Sequence, residues 1–284
     1  MSKSPKDKGD VRAVKCDDGV ELHYEVLGKG PVVVVLHGAL VGRGAFARMR
    51  RALAENFSVI LPSSRGHDGT ELTLPDDYGF ETSEVRDLTA ILAAEGLQRV
   101  HLLAHSSSGA TAFAFARDCP ERVDRMVLIE PSLFGLMPPE VLAGRATVAQ
   151  AAIDAGEQGG DMAALRVMMD NLGGDAWDAL DEATKANRLE RLAPMAPLMV
   201  PHNRILLSFA VSLEDLQALN PATLLFYGGK SFDFEPHIAA AWRKHRPDLT
   251  LTVVEQAGHN VHHDCPDIVG PAVIDFLTDT PGRS

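Results

Sequence analysis

Cysteine, tryptophan, tyrosine and positive charge are all scarce in this chain. Its three cysteines, Cys16, Cys119 and Cys265, stand far apart and in no CxxC spacing. That excludes a disulfide framework or a cysteine-built zinc module and reads as free thiols in a reducing compartment. Lysine and arginine number 27 against 39 aspartates and glutamates, a net charge of −12. A surface of that sign cannot neutralise phosphates, so nucleic acid is excluded as a partner and an anionic membrane is disfavoured. No apolar run reaches membrane-spanning length. The polar start from Met1 to Asp10 lacks the apolar stretch of a secretory signal, so a cytoplasmic location is expected.

What the chain does have is length and apolar mass. With 284 residues, 45% of them hydrophobic, it suits one large α/β domain, or a core domain carrying an insertion. Residues 1–10 read as a disordered tail. Segments 11–16 and 20–26 alternate around Asp17-Asp18-Gly19 and predict a hairpin. Pro31 to Leu36 is a continuous β-branched run, the pattern of a strand buried on both faces. Further strands are expected at 58–61, 99–104, 126–130, 222–227 and 249–255, and helices at 44–56, 84–95, 107–118, 235–245 and 266–277. The alternation predicts a doubly wound, mostly parallel eight-stranded sheet after an antiparallel start. From 133 to 219 it stops. Helices at about 141–155, 161–172, 174–188 and 202–218 read as a helical cap (lid) inserted into a core formed by 1–132 and 220–284.

The segment Val100 to Ala110 carries the chemistry. An apolar run ends in Ser106-Ser107-Ser108, and a helix-prone stretch follows. A serine exposed on a sharp strand-to-helix turn needs small residues two before, two after and three after it. Ser106 has Ala104, Ser108 and Gly109 there; Ser107 and Ser108 do not meet the rule. The alternative is a serine-rich helix cap. The Ser107 amide is then one oxyanion donor and the Ala39 amide, after His37-Gly38, the second. His37 reads as a loop brace, with a catalytic base as its other reading. His259, in Ala257-Gly258-His259-Asn260 after the last strand, is the expected base. Its neighbours His262, His263 and Asp264 raise a metal site, but their spacing matches no ligand motif, so no metal is expected. For the acid, Glu130 closes a buried strand that should lie beside the serine's, and Asp233 is the alternative. Leu40, His105 and His262 are expected to face substrate from the core. Leu136, Met137, Met168 and Met169 are expected to do so from the insertion.

His37-Gly38 after a β run, Arg65-Gly66-His67, Ala104 to Gly109 and Gly258-His259 together resemble the α/β-hydrolase superfamily, in its capped branch of esterases, lactonases and C–C hydrolases. The resemblance covers nearly the whole chain from about residue 20. It implies the α/β-hydrolase fold, a Ser106-His259-Glu130 triad, no cofactor, and a small-molecule ester or lactone as substrate, largely apolar and of medium size. C–C bond hydrolysis, or cofactor-free perhydrolase or lyase chemistry, stands as the alternative. A receptor-like ligand-binding protein with residual turnover is another. A homo-oligomer is compatible with all of these. Three departures stand out: Ala104 and Ser108 replace glycines, Asp68-Gly69-Thr70 follows Arg65-Gly66-His67, and Ser231 stands where an acid is common.

Overall fold

In the computed structural model, residues 9–279 are described, so most of the expected N-terminal tail lies outside them. Eight strands form one sheet: β1 (Asp10–Lys15), β2 (Glu21–Gly28), β3 (Val32–Leu36), β4 (Ser58–Pro62), β5 (Val100–His105), β6 (Val123–Ile129), β7 (Ala222–Gly228) and β8 (Thr250–Val254). Their order is β1-β2-β4-β3-β5-β6-β7-β8. The first two strands make the antiparallel hairpin, β2 meets β4 antiparallel, and every pair from β4 to β8 is parallel.

The pleat sends alternate residues to opposite faces, and both faces are covered. On one, Val34, Leu102 and Leu128 pack with α2 (Val85–Ala94), α3 (Ser108–Asp118) and α10 (Glu235–His245) through Leu88, Phe113 and Trp242. On the other, Val33, Val35 and Leu103 pack with α1 (Arg50–Ala54) and α12 (Pro266–Thr278) through Leu53, Val269 and Val273. A short α11 (Val261–Asp264) precedes α12.

Between β6 and β7 run α4 (Pro139–Gly159), α5 (Asp161–Leu172), α6 (Asp175–Asp178), α7 (Glu182–Leu192), α8 (Met199–Ser208) and α9 (Leu213–Ala218). They build a small core of their own, with Leu165, Met168, Trp177 and Met199 at its centre. Leu40, Leu72 and Leu74 reach it from the loops that leave the carboxyl ends of β3 and β4. The helices therefore sit against the carboxyl edge of the sheet. Phe134, Leu206, Val211 and Leu216 of the same stretch belong instead to the main core. No helix among the described residues is long and apolar enough to cross a membrane.

Three expected helices break. The one at 44–56 becomes a 3₁₀ turn, Gly42–Phe46, and the short α1; Gly42 takes φ +57° and the Arg43 amide donates to Asp68. The one at 174–188 stops after α6 and restarts where the Asp181 side chain accepts from the Thr184 amide. The one at 202–218 is α8 and α9, because Ser212 and Asp215 form a capping box that starts a new helix.

Candidate active site

The turn from β5 into α3 forces Ser106 to φ 57°, a left-handed conformation that costs a side-chain-bearing residue about 1–2 kcal/mol. Backbone bonds hold it there. Its amide donates to the Ile129 carbonyl at 2.9 Å, and its carbonyl accepts from Ser132 at 3.1 Å and Gly109 at 2.9 Å. The small neighbours are required by contact. A Cβ on Gly109 would come within 2.5 Å of Pro131, and one on Gly38 within 3.1 Å of the Ser106 Cβ. Ser108 is buried and donates its hydroxyl to the Leu36 carbonyl at 2.9 Å, tying the elbow to β3.

His259 comes from the loop between β8 and α11. Its Nε2 lies 3.0 Å from the Ser106 Oγ and its Nδ1 2.5 Å from Glu130 Oε2. Glu130 is 0% exposed and also sits at positive φ, 48°. Such burial is tolerable because its oxygens are satisfied. The Gly228 amide donates to Oε1 at 2.7 Å and the Ser231 hydroxyl to Oε2 at 2.5 Å. The structure thus brings Ser106, His259 and Glu130 together, while the alternative acid Asp233 is exposed. Ser231, noted in the sequence only as a missing carboxylate, holds the acid that stands in its place.

The amides of Ala39 and Ser107 have no hydrogen-bond partner among the described residues, as donors kept for an oxyanion would require. The loop that carries Ala39 is braced by two histidines. His67 Nε2 is 2.8 Å from the Ala39 carbonyl. His37 Nδ1 donates to the Gly38 carbonyl at 2.8 Å while its Nε2 accepts from the Ser64 amide at 3.1 Å, so it is neutral. Burial lowers the His37 imidazole to about 4, which removes it as a base at neutral pH. Arg65 grips Asp87 through two bonds, at 2.7 and 2.8 Å, and Asp18 at 2.7 Å, fixing the neighbouring loop.

The expected substrate-facing residues fare differently. His105 is buried beneath His259, with Nε2 3.0 Å from the His259 carbonyl and its ring 4.8 Å from the His259 ring. His262 is buried too, its ring stacked 4.4 Å from Phe46 and meeting His105 edge-on at 4.5 Å. Both pack behind His259. Leu136 and Met137 lie in the main core and Met168 in the helical one, with Leu40 and Met169 half-buried against the latter. Each of these five apolar side chains is engaged in packing.

Sequence reasoning missed three groups. Phe232 stands 4.9 Å from His259, ring to ring. Glu235, also buried, presents a carboxylate to Glu130 and His259; one ligand-type atom of each lies within 4.8 Å of the others, but the Glu130 oxygens are already engaged by Gly228, Ser231 and His259, so the cluster is not arranged for a cation. Arg145, on α4, is 7% exposed and lies 5.0 Å over the Phe134 ring, its Nε and Nη1 without hydrogen-bond partners among the described residues. Burial alone lowers its guanidinium, to about 10. None of these can be found by spacing, since each depends on which distant elements meet.

A sequence model described as the alpha/beta hydrolase family matches residues 33–272. The chain belongs to this family. Members similar to it include a 2-hydroxy-6-oxo-6-phenylhexa-2,4-dienoate hydrolase of Comamonas testosteroni, 32% identical over 128 residues, 42% of this chain and 44% of that one. The chain spans less than half the length of the first curated relatives it matches. A cis-3-alkyl-4-alkyloxetan-2-one decarboxylase of Shewanella oneidensis is 26% identical over 281 residues, 93% of this chain and 87% of that one. Among solved structures, a hydrolase from Pseudomonas aeruginosa PA01 has a TM-score of 0.78 at 18% identity, covering 95% of this chain and 99% of its own. An esterase from Thermogutta terrifontis has a TM-score of 0.70 at 24% identity, with coverages of 94% and 98%. These two carry the fold alone.

Proposed function

We propose that this α/β hydrolase is a serine hydrolase of small esters or lactones. The observation that carries the reading is the continuous chain from Ser106 Oγ to His259 Nε2 and from His259 Nδ1 to Glu130. His259, oriented by Glu130, takes the serine proton as Oγ attacks the carbonyl. The Ala39 and Ser107 amides receive the oxyanion, with the Ser107 amide reinforced by the N-terminus of α3. The imidazolium then protonates the leaving alkoxide, and water clears the acyl-enzyme by the same route. The relative aligned over most of both chains acts on an oxetan-2-one, a ring whose carbonyl is that of a cyclic ester. The helices between β6 and β7, seated on the carboxyl edge, serve as the lid in this reading. Ser106→Ala should lower kcat/KM on p-nitrophenyl esters and lactones by about 10⁴–10⁶-fold. Turnover retained in that variant sinks the scheme. Fluorophosphonate labelling at Ser106 with multiple turnover separates an enzyme from a receptor.

A second reading, hydrolysis of a C–C bond, is favoured by Arg145. A guanidinium buried without an acidic partner is costly, and a substrate carboxylate would relieve it. Dienoates of the kind named for the Comamonas relative are carboxylates. Assay of keto-dienoic acids beside neutral esters decides between the two. A kcat/KM on the keto acid that is the higher and falls in Arg145→Met favours C–C cleavage.

A further inference from the structure

Glu235, the first residue of α10, is 2% exposed. One of its carboxylate oxygens, one of Glu130's and a ring nitrogen of His259 lie within 4.8 Å of one another. Two buried carboxylates this close resist ionising together, because little water separates their charges. Glu130 is the one built to carry charge, since the Gly228 amide, the Ser231 hydroxyl and His259 converge on it. Glu235 is therefore the protonated member; burial first, and then the charge of Glu130, push its carboxyl well above the ordinary range. Asp233, two residues before it, is exposed, and Glu130 is the charge that bears on it.

Resting on the reading of Ser106, His259 and Glu130 as a triad, the geometry points to Glu235 as a second positioning acid, held neutral beside the first and able to take over His259. Once the Glu130 carboxylate is gone, Glu235 loses its repelling neighbour. Its burial remains, so it gives up its proton at a pH above the ordinary carboxyl range and then presents its own carboxylate to the imidazole.

The experiment is a double-mutant cycle on p-nitrophenyl butyrate with Glu130→Ala, Glu235→Gln and the pair, each variant checked for folding by its melting curve. Glu130→Gln, which keeps the volume, replaces Glu130→Ala if that variant does not fold. Glu130→Ala should lose about 10–100-fold in kcat/KM. Adding Glu235→Gln should take the loss toward the roughly 10⁴-fold expected when a triad loses its acid. Glu235→Gln should therefore cost at least about tenfold more in the Glu130→Ala background than in the wild type. The rate of Glu130→Ala should also rise with pH to a higher midpoint than that of the wild type or of the pair. An equal cost of Glu235→Gln in both backgrounds overturns the proposal and leaves a helix-start role. So does a full 10⁴-fold loss in Glu130→Ala alone. Full activity in all three variants overturns the triad reading itself, an outcome distinct from the other two.

Discussion

Among the described residues, three non-glycine side chains stand at positive φ, and two of them are Ser106 and Glu130. Backbone strain is thus concentrated on the proposed nucleophile and its proposed acid, where surrounding contacts over-determine it. Gly109 is one of those contacts. An added Cβ would lie 2.5 Å from the Pro131 Cβ and 2.8 Å from its Cα, so backbone must move. Gly109→Ala should lower stability by about 1–3 kcal/mol in urea titrations and cut kcat as well, because Pro131 follows Glu130 directly. Ser106 was legible because the small-residue rule is local, and His259 because a Gly-His pair after the last strand is a compact signal. Glu130 was legible through the cost of ending a buried strand on a charge. Ser231, Glu235 and Arg145 were not, since only folding reveals what a hydroxyl, a carboxyl or a cation meets. The apolar residues expected to face substrate pack in the two cores, and composition alone does not distinguish a core from a pocket.

At the level of elements, the strands were the most readable because both-face burial leaves unbroken β-branched runs such as Val32 to Val35. Of the four helices expected between β6 and β7, those at 174–188 and 202–218 each divide in two, since the caps at Asp181 and Ser212 lie inside otherwise helical spacing. These helices depend on a small core centred on Trp177, which is 1% exposed and donates its indole N–H to Asp170 at 2.8 Å. Trp177→Ala should cost about 3–5 kcal/mol. Hydrogen exchange should show that loss in α5–α8 before it reaches β5 and β6, because the sheet's two cores do not include the tryptophan.

For the whole molecule, the buried histidines set the response to acid. Burial lowers His37 and His202 to about 4 and His262 to about 3, and lowers His105 well below its ordinary value. An unfolded imidazole takes up its proton near 6.5, so below that pH the unfolded chain binds more protons and stability falls as pH drops. The slope is about 1.4 kcal/mol per pH unit for each such histidine. Glu84, raised by burial to about 7, acts with the opposite sign, as does Glu235: each favours the folded chain as pH falls toward its unfolded value near 4.5. Denaturant midpoints should therefore decline below pH 6.5 and more steeply below about 4.5, and His202→Phe should flatten the decline. The sheet order has one more consequence. Ser106 and Glu130 ride neighbouring central strands and are cross-tied through Ile129 and Ser132, whereas His259 hangs from the loop beyond the edge strand β8. Serine and carboxylate cannot part unless the middle of the sheet opens, but the imidazole can leave by itself. Warming short of unfolding should then idle the site by withdrawing one side chain, and cooling should restore ester turnover without any refolding.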